Sequence, residues 1–429
     1  MFRVFAVSNF VTEPARYPST ASFYTAIRIV RRDSVCFCIF PMEEYKLDPA
    51  TEGRPITCKA AVARKPGEPL VIEDIVVAPP KPHEVRVRII CTSLCHSDIT
   101  FRNMQDPPGY FPRILGHEAA GVVESVGKDV TEVTKGDMVI PFFLPDCGQC
   151  NDCKSSKSNR CTNFPFKVSP SMPRDGTTRF IDQNGEIIHH FMFISSFSEY
   201  TVVDIVNVIK MDSEIPPNRA CLLSCGVSTG VGAAWRTADV EPGSTVAIFG
   251  LGSVGLAVAE GARLCGATRI IGVDVKPEKF EIGKKFGVTD FVHAGECEKK
   301  PVSQVIIDIT GGGADYCFEC VGRASLVHEA YASCRKGWGK TIVLGVDKPG
   351  ARLSLSSYEV LHDGKSLMGS LFGGLKPKSH VPILLKRYMD KELQLDKFVT
   401  HELKFKDINK AFDLLSTGQC LRCVIWMDK

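Results

Sequence analysis

The chain of 429 residues contains no apolar run that approaches the roughly 18 consecutive residues of a membrane-spanning helix. It also has little excess of charge of either sign, since 52 Lys and Arg residues stand against 49 Asp and Glu residues, for a formal net charge of +3. Such near-neutrality gives no electrostatic reason to expect binding to nucleic acid or to an anionic membrane surface. Internal repeats and low-complexity tracts are absent as well. We therefore expect a soluble globular protein, long enough for two domains, that binds neither nucleic acid nor membranes.

The chain lacks a convincing secretory signal, although it contains 18 cysteines. In a small secreted domain so many cysteines would indicate disulfides. This chain is large, and many of its cysteines lie among apolar residues, as Cys36 and Cys38 do. Reduced thiols that are free to bind metal are the better interpretation, and we expect a cytoplasmic location.

Acidic residues are scarce before Met42, where only Glu13 and Asp33 occur. The same stretch contains several serines and five arginines, which are Arg3, Arg16, Arg28, Arg31 and Arg32. This bias resembles an organelle transit peptide. We favour two simpler interpretations, a disordered tail or a working start at Met42, so the presence of residues 1–41 in the mature protein stays open. We treat residues 1–54 as an N-terminal extension.

From Ile56 onward, short apolar runs alternate with Gly and Pro, a pattern typical of β-structure. We predict strands at 60–64, 70–77, 83–91, 121–126 and 137–143. Around Gly243 the pattern changes to strand, glycine-rich turn, helix and strand, which indicates a parallel α/β sheet. After Phe372 this regularity is lost, and a helix at 407–416 and a strand at 423–427 are predicted. The sequence thus predicts a β-rich part followed by an α/β part.

Four cysteines, Cys147, Cys150, Cys153 and Cys161, lie within one short polar segment. Four thiolates at this spacing can enclose a zinc ion tetrahedrally and leave no position for water, which is typical of a structural site. Because the surrounding residues are polar and turn-forming, a metal rather than an apolar core would hold this lobe together. A nucleic-acid-binding zinc ribbon is the alternative, and the lack of basic and aromatic residues around the loop weakens it.

A second set of metal-binding residue types is spread along the chain. Cys95, His117 and Cys225 would form a set of two thiolates and one imidazole that leaves a fourth position open for water or substrate. A zinc ion there would lower the pKa of a bound alcohol toward neutrality. Asp98 would orient His117 through its other ring nitrogen, and Glu118 could approach the metal when the alcohol leaves. Spacing alone does not select Cys225 from the other cysteines.

A glycine-rich segment follows the predicted buried strand Thr245–Phe249 and precedes a predicted helix at 256–265. Its residues are Gly250, Leu251, Gly252, Ser253, Val254 and Gly255. The first Gly allows a tight turn, the second admits a pyrophosphate at the helix N-terminus, and the third packs the helix against the strand. The next predicted strand, 269–273, is followed by Asp274, whose carboxylate would bind ribose hydroxyls and repel a 2′-phosphate. The sequence therefore predicts a dinucleotide site that prefers NAD over NADP.

With these sites, the chain resembles the zinc-containing medium-chain alcohol dehydrogenases, in particular their plant alcohol dehydrogenase-like members, over residues 55–429. The resemblance rests on the quartet loop and on the segments CTSLCHSD (91–98), GHEAAGVVESVG (116–127), DGTTRF (175–180), SFSEYTVV (196–203), SCGVSTGVGAAW (224–235), GLGSVG (250–255), GVDVKPEKF (272–280) and LFGGLKPK (371–378). It implies an α/β fold with a GroES-like β-rich catalytic domain at 55–226 and 372–429, including a structural zinc lobe at 147–161. A Rossmann doubly wound parallel-sheet domain that binds NAD is implied at 227–371. Two zinc ions per chain, NAD, a small alcohol or aldehyde substrate and a homodimer follow from the same resemblance.

The resemblance also implies roles for single residues. Cys95, His117 and Cys225 correspond to the catalytic zinc ligands, with Glu118 beside them, and Ser97 to the hydroxyl that takes the proton of the alcohol. Contacts to the cofactor pyrophosphate are implied for His96 and Arg422. Lys279 corresponds to the basic residue beside the adenosine ribose. The remaining correspondences are Leu344, Val346 and Phe372 for backbone contacts near the nicotinamide and Phe143 for a wall of the substrate pocket.

The expected reaction is oxidation of a primary or secondary alcohol to an aldehyde or ketone, through a zinc-bound alkoxide, as NAD⁺ becomes NADH. Two departures from the family pattern matter. Thr100 occupies the position that often holds the terminal His of the proton relay. Pro165 stands where the glutathione-dependent formaldehyde dehydrogenase branch has an Arg, although Asp106 matches an acid of that branch. An S-(hydroxymethyl)glutathione dehydrogenase is therefore the second hypothesis, and a non-catalytic NAD- and zinc-binding protein is the third.

Overall fold

Three β-sheets organise the residues that the computed structural model describes, which are 47–105, 108–297, 300–348 and 350–427. The strands are β1 (Ile56–Ala63), β2 (Val71–Val77), β3 (Glu84–Ser93), β4 (Arg113–Ile114), β5 (Glu118–Val126), β6 (Met138–Pro141), β7 (Phe180–Asp182), β8 (Ile187–Ile188), β9 (Tyr200–Asp204), β10 (Val208–Lys210), β11 (Thr245–Phe249), β12 (Arg269–Asp274), β13 (Asp290–His293), β14 (Tyr316–Glu319), β15 (Lys340–Val343), β16 (Ser366–Gly369), β17 (Val399–Lys404) and β18 (Arg422–Trp426). The α-helices are α1 (His96–Arg102), α2 (Asn151–Lys154), α3 (Pro217–Ala220), α4 (Gly226–Gly232), α5 (Ser253–Leu264), α6 (Glu278–Lys285), α7 (Val302–Thr310), α8 (Ala324–Ser333), α9 (Ser357–Asp363), α10 (Pro377–Met389) and α11 (Ile408–Ser416).

Two of the sheets belong to the β-rich part. One has five strands in the order β4-β1-β2-β7-β8, and the other has seven, in the order β10-β6-β5-β3-β18-β17 with β9 also paired to β3. β3 is the central strand, and all of its ten residues except Arg88 are buried. Its apolar residues, Val85, Val87, Ile89, Ile90 and Cys91, belong to the core, and its buried charged residues are paired, Glu84 with Arg179 and Arg86 with Glu124.

The C-terminal segment returns to this β-rich part. β18 pairs antiparallel with β3, with Val424 opposite Ser93, and β17 pairs parallel with β18. Arg422, the first residue of β18, is thereby carried to the segment that follows β3 and contains Cys95. The predicted domain limits at 226 and 372 stay predictions, because strand pairing does not define them.

The third sheet is parallel throughout and has the order β13-β12-β11-β14-β15-β16. Numbered within the sheet, this order is 3-2-1-4-5-6, the doubly wound Rossmann arrangement, so the predicted fold class is confirmed. The strand order reverses between β11 and β14, and ligands of such sheets bind outside the carboxyl ends of the strands at that point. Gly250 directly follows β11, at this edge of the sheet.

The described end of the predicted N-terminal extension packs against the β-rich part. Arg86 is fully buried, and its guanidinium donates to the carbonyls of Arg54 (2.6 Å) and Thr51 (2.7 Å) and pairs with Glu124 (2.6 Å). Thr51 also donates its hydroxyl to Glu124 at 2.6 Å. Residues 47–54 are thus held by a buried ion pair, whereas residues 1–46, with Cys36 and Cys38, lie outside the described ranges.

The cysteines in the part of the chain that the structure describes are all free thiols. The expected reducing environment and the cytoplasmic location stay predictions. None of the described helices combines the length and the apolar character needed to cross a membrane.

Candidate active site

Three separate segments bring four metal-binding side chains together. Cys95 precedes α1, Glu118 is the first residue of β5 with His117 directly before it, and Cys225 precedes α4. One ligand atom from each of these residues lies within 4.8 Å of the others. The predicted open site is therefore a real cluster, and it includes Cys225, which spacing alone did not select.

The buried carboxylate of Asp98 arranges this cluster. One oxygen, Oδ2, accepts the backbone N–H of Cys95 at 2.9 Å. The other, Oδ1, accepts the backbone N–H of Gly116 at 3.0 Å and lies 3.2 Å from His117 Nδ1. With Nδ1 held in this way, the His117 Nε2 atom is left buried and without a hydrogen-bond partner. A buried nitrogen without a partner, next to two thiols, fits a zinc ion in its donor chemistry.

Glu118 belongs to the cluster, and Arg422 lies next to it. Glu118 Oε1 accepts the backbone N–H of Gly226 and lies 3.1 Å from Arg422 Nη2, whereas Oε2 is buried without a partner. Burial raises the pKa of Glu118 to about 7, against the lowering effect of Arg422. A carboxylate oxygen free to turn toward the cluster agrees with the expected approach of Glu118 to a metal.

Aromatic rings surround His117. Phe143, the predicted pocket wall, lies 6.3 Å from the His117 ring, and Phe191 lies 5.6 Å from it at an interplanar angle of 78°. Phe372 packs edge-on against Phe143 at 5.4 Å. The sequence analysis missed Phe191, because it lies in the segment HHFMFISS (189–196), just before the recognised segment 196–203. The only signal in the sequence is that Phe191 begins a short apolar run, which follows two histidines and precedes two serines.

Ser97 and Thr100 lie on the same short helix but in different settings. Ser97 is half-buried, and its Oγ lies 3.8 Å from Cys95 Sγ, next to the cluster. Thr100 is exposed and donates its hydroxyl to the carbonyl of His96 at 3.1 Å. The structure therefore brings Ser97 to the cluster, whereas the Thr100 hydroxyl bonds to its own helix.

The cysteine quartet forms a second cluster, separate from the first. The Sγ atoms of Cys147, Cys150, Cys153 and Cys161 lie within 4.8 Å of one another. Backbone N–H groups donate to three of these sulfurs, from Cys150 to Cys147 (3.4 Å), from Cys153 to Cys150 (3.3 Å) and from Phe164 to Cys161 (3.3 Å). Such donors stabilise thiolates, so this donor set fits the predicted zinc site with all four positions filled by sulfur.

The glycine-rich segment adopts the turn that its spacing predicts. Gly250 has φ +94°, and a Cβ on Gly255 would lie 1.9 Å from the carbonyl oxygen of Gly250, so both positions require glycine. A Cβ on Gly252, the N-cap of α5, would meet no atom within 4 Å. The helix N-terminus therefore faces free space, and the Ser253 hydroxyl beside it is buried without a partner. This cradle fits a pyrophosphate.

The other predicted cofactor residues surround the same edge of the sheet. Asp274 accepts the backbone N–H groups of Leu251 (2.8 Å) and Lys276 (3.0 Å) and lies 3.6 Å from Lys279. Val254 is the second residue of α5. Desolvation lowers the pKa of His96, Cys95 opposes this effect, and the charges of Arg422 and Lys279 lower the pKa further, so these three basic residues lie close enough to interact electrostatically.

Leu344, Val346 and Phe372 follow the carboxyl ends of β15 and β16. A Cβ on Gly322 would lie 2.4 Å from the carbonyl oxygen of Val346, so the loops after β14 and β15 touch. Val346 is 72% exposed, whereas Phe372 is buried and has φ +52°. Their positions agree with the predicted backbone contacts near a nicotinamide, and their roles stay predictions.

Comparison with known proteins gives a consistent result along the chain. Residues 81–213 match the family described as alcohol dehydrogenase GroES-like domain, and residues 253–388 match the family described as zinc-binding dehydrogenase. The chain is 70% identical over 381 residues to Alcohol dehydrogenase-like 7 of Arabidopsis thaliana, covering 89% of this chain and 98% of that protein. It is 51% identical over 377 residues to Alcohol dehydrogenase class-3 of Pisum sativum, covering 88% and 99%.

A solved structure has the same architecture. The alcohol dehydrogenase zinc-binding domain protein from Burkholderia ambifaria superposes with a TM-score of 0.81 at 32% identity, covering 87% of this chain and 100% of that one. The two-part fold and its zinc-binding sequence family are therefore shared with proteins of known structure.

Substitutions of Gly252 and Gly255 should have different effects, the first on dinucleotide binding and the second on stability. Gly252→Ala adds a methyl group only to the free space before α5, so we expect unchanged thermal stability and NADH binding weakened by about tenfold or more. Gly255→Ala places its methyl group on the Gly250 carbonyl, and we expect it to lower stability by about 1–3 kcal/mol. Thermal unfolding and NADH titration of both variants check this. Full NADH affinity in Gly252→Ala would argue against the cradle as the pyrophosphate site.

Proposed function

The chain belongs to the zinc-containing medium-chain alcohol dehydrogenases, in their plant branch, and on that premise we propose that it oxidises a primary or secondary alcohol with NAD⁺. The product is an aldehyde or ketone together with NADH, and the reverse reduction is equally available. The observation that supports this proposal best is the cluster of Cys95, His117 and Cys225, with the Ser97 hydroxyl next to it.

When bound, zinc supplies a Lewis acid for the alcohol oxygen, and NAD⁺ supplies the hydride acceptor. The protein's own side chains orient the metal-binding groups and exclude water from them. Asp98 holds His117 in the tautomer whose Nε2 faces the cluster. Phe143 and Phe191 provide apolar walls beside it, which favour an alcohol with a hydrocarbon part and exclude water.

Proton removal begins at Ser97. Its hydroxyl would receive the proton of the substrate hydroxyl as it gives up its own proton, for which the ribose hydroxyl of a bound NAD⁺ and solvent would be the acceptors. A terminal His is missing, and the Thr100 hydroxyl, which bonds to the His96 carbonyl, cannot act as a base near neutral pH. Proton release would therefore have to rely on the ribose hydroxyl and solvent, which would affect the rate rather than the type of reaction.

Asp274 supports the preference for NAD over NADP. Its carboxylate lies at the end of β12 and is tied to the glycine-rich turn through the N–H of Leu251. A negative charge fixed at this position would repel a 2′-phosphate, whereas ribose hydroxyls can donate to it. Lys279 Nζ lies 3.6 Å from this carboxylate, at the position expected for the basic residue beside the adenosine ribose.

The reaction is tested by following NADH formation with a panel of primary and secondary alcohols, with and without S-(hydroxymethyl)glutathione. We expect turnover of simple alcohols, and a loss of about 100-fold or more in kcat for Ser97→Ala, because a positioned proton acceptor is removed. Ser97→Thr should recover much of the rate, and Thr100→Ala, at an exposed position, should change little.

Two outcomes of that experiment would overturn the proposal. Turnover only with the glutathione adduct would favour an S-(hydroxymethyl)glutathione dehydrogenase, despite Pro165 at the position of the expected Arg; Asp106, the matching acid, lies outside the described residues. A flat response to every substrate, with NADH still bound, would favour a non-catalytic NAD- and zinc-binding protein.

We also propose a homodimer formed through β16. All four residues of this edge strand are exposed, and no strand among the described residues pairs with its outer side. The adjacent helix α9 exposes Tyr358 (70%) and Leu361 (77%). A second copy of the strand, related by a two-fold axis, would satisfy the free edge and cover the apolar patch.

A charge on the β16 edge should break this dimer. We expect Leu367→Lys to shift the mass measured by light scattering from dimer to monomer, because the charge would be buried against its own symmetry mate. Ile187→Lys, at a similarly exposed apolar position on β8, should leave the mass unchanged. A monomeric parent protein, or a Leu367→Lys variant that stays dimeric, would contradict this interface.

A further inference from the structure

The turn Leu371–Gly374 has a strained backbone conformation that contacts with its neighbours must stabilise. Phe372, Gly373 and Gly374 have φ values of 52°, 66° and 69°, three consecutive residues in the left-handed region. For a bulky residue such as Phe372 this conformation is strained and persists only where the surroundings enforce it. The turn is therefore a segment whose shape depends on its neighbours.

One side of the turn packs against the predicted active site. The Phe372 ring contacts Phe143, which in turn borders His117. A Cβ on Gly373 would lie 2.7 Å from the Cα of Gly232 and from the carbonyl oxygens of α4, so the backbone of the turn lies directly on that helix. A displacement of the turn would therefore move the backbone of Phe372 and, through its ring, would reach Phe143.

The other side of the turn is held by the cysteine-quartet lobe, residues 147–161. Asn159 Nδ2 donates to the carbonyl of Leu371 at 2.8 Å and to that of Leu375 at 3.2 Å, so a single amide joins both ends of the turn. Lys376 donates its ammonium group back to the carbonyls of Cys153 and Ser155. Cys153 is itself a quartet member, and Asn159 lies between Cys153 and Cys161.

We propose that the quartet lobe positions the nicotinamide side of the cofactor site, with Asn159 as the positioning residue. The inference rests on the proposed function and on the expectation, from the family resemblance, that the Phe372 backbone lies near the nicotinamide. The quartet fixes the loop that presents Asn159 and the Cys153 carbonyl, and these groups fix the turn. The quartet lobe thus has a function in cofactor binding beyond holding itself together.

The experiment compares two ligands that differ only on the nicotinamide side. NADH and ADP-ribose share the adenosine and pyrophosphate groups, so only NADH should sense the turn. In Asn159→Leu we expect NADH affinity to fall by about tenfold, ADP-ribose affinity to stay within about twofold, and zinc content to remain that of the parent protein. Asn151→Leu is the matched control, because Asn151 is exposed on the same lobe and its side chain forms no hydrogen bond to the described residues.

Lys376→Met removes the second contact between the lobe and the turn, the hydrogen bonds of Lys376 to Cys153 and Ser155, and is an independent test. It should give the same selective loss of NADH affinity. If both ligands weaken equally, or neither does, in variants that retain zinc and fold, the lobe is only a stabilising element and the inference is wrong. A parent protein that binds neither ligand would instead refute the proposed function, and the inference with it.

Discussion

Asp98 has no exposed surface, and its two carboxylate oxygens bond to both segments that supply the first metal ligands. One oxygen holds the backbone of Cys95, and the other holds the backbone of Gly116 and the ring of His117. Burying a charge in this way is costly unless the group is hydrogen-bonded or paired. Here the hydrogen bonds that satisfy Asp98 are the same ones that set the distance between a thiol and an imidazole, so the site depends on a single carboxylate.

The remaining parts of the site come from distant positions in the chain, and strands and a helix bring them together. β18 brings Arg422 from the C-terminal segment to Glu118, and the helix that begins at Gly226 brings Cys225 from the other side. The parallel sheet presents Gly250 and Asp274 at its carboxyl edge. Thiols, carboxylates and a buried guanidinium from distant segments thus meet in the cluster that we propose as the catalytic site.

Features that are local in sequence could be predicted. The quartet follows from its spacing, the glycine turn from its flanking strands, and most long strands from apolar runs, so that predicted strand 83–91 corresponds to β3 and predicted helix 407–416 to α11. The short strands β7 and β8 could not be predicted, because two or three residues give no periodic signal. Cys225 could be selected only through the family resemblance, and Phe191 and Asn159 act through tertiary contacts that no local pattern reveals.

The most direct test of the account is the zinc content of the protein measured together with its turnover, in the parent chain and in His117→Ala. The account predicts two zinc ions per parent chain and one in the variant, which should still bind NADH but form none from an alcohol. A variant that retains two zinc ions, or that keeps full turnover, would contradict the assignment of the open cluster as the catalytic centre.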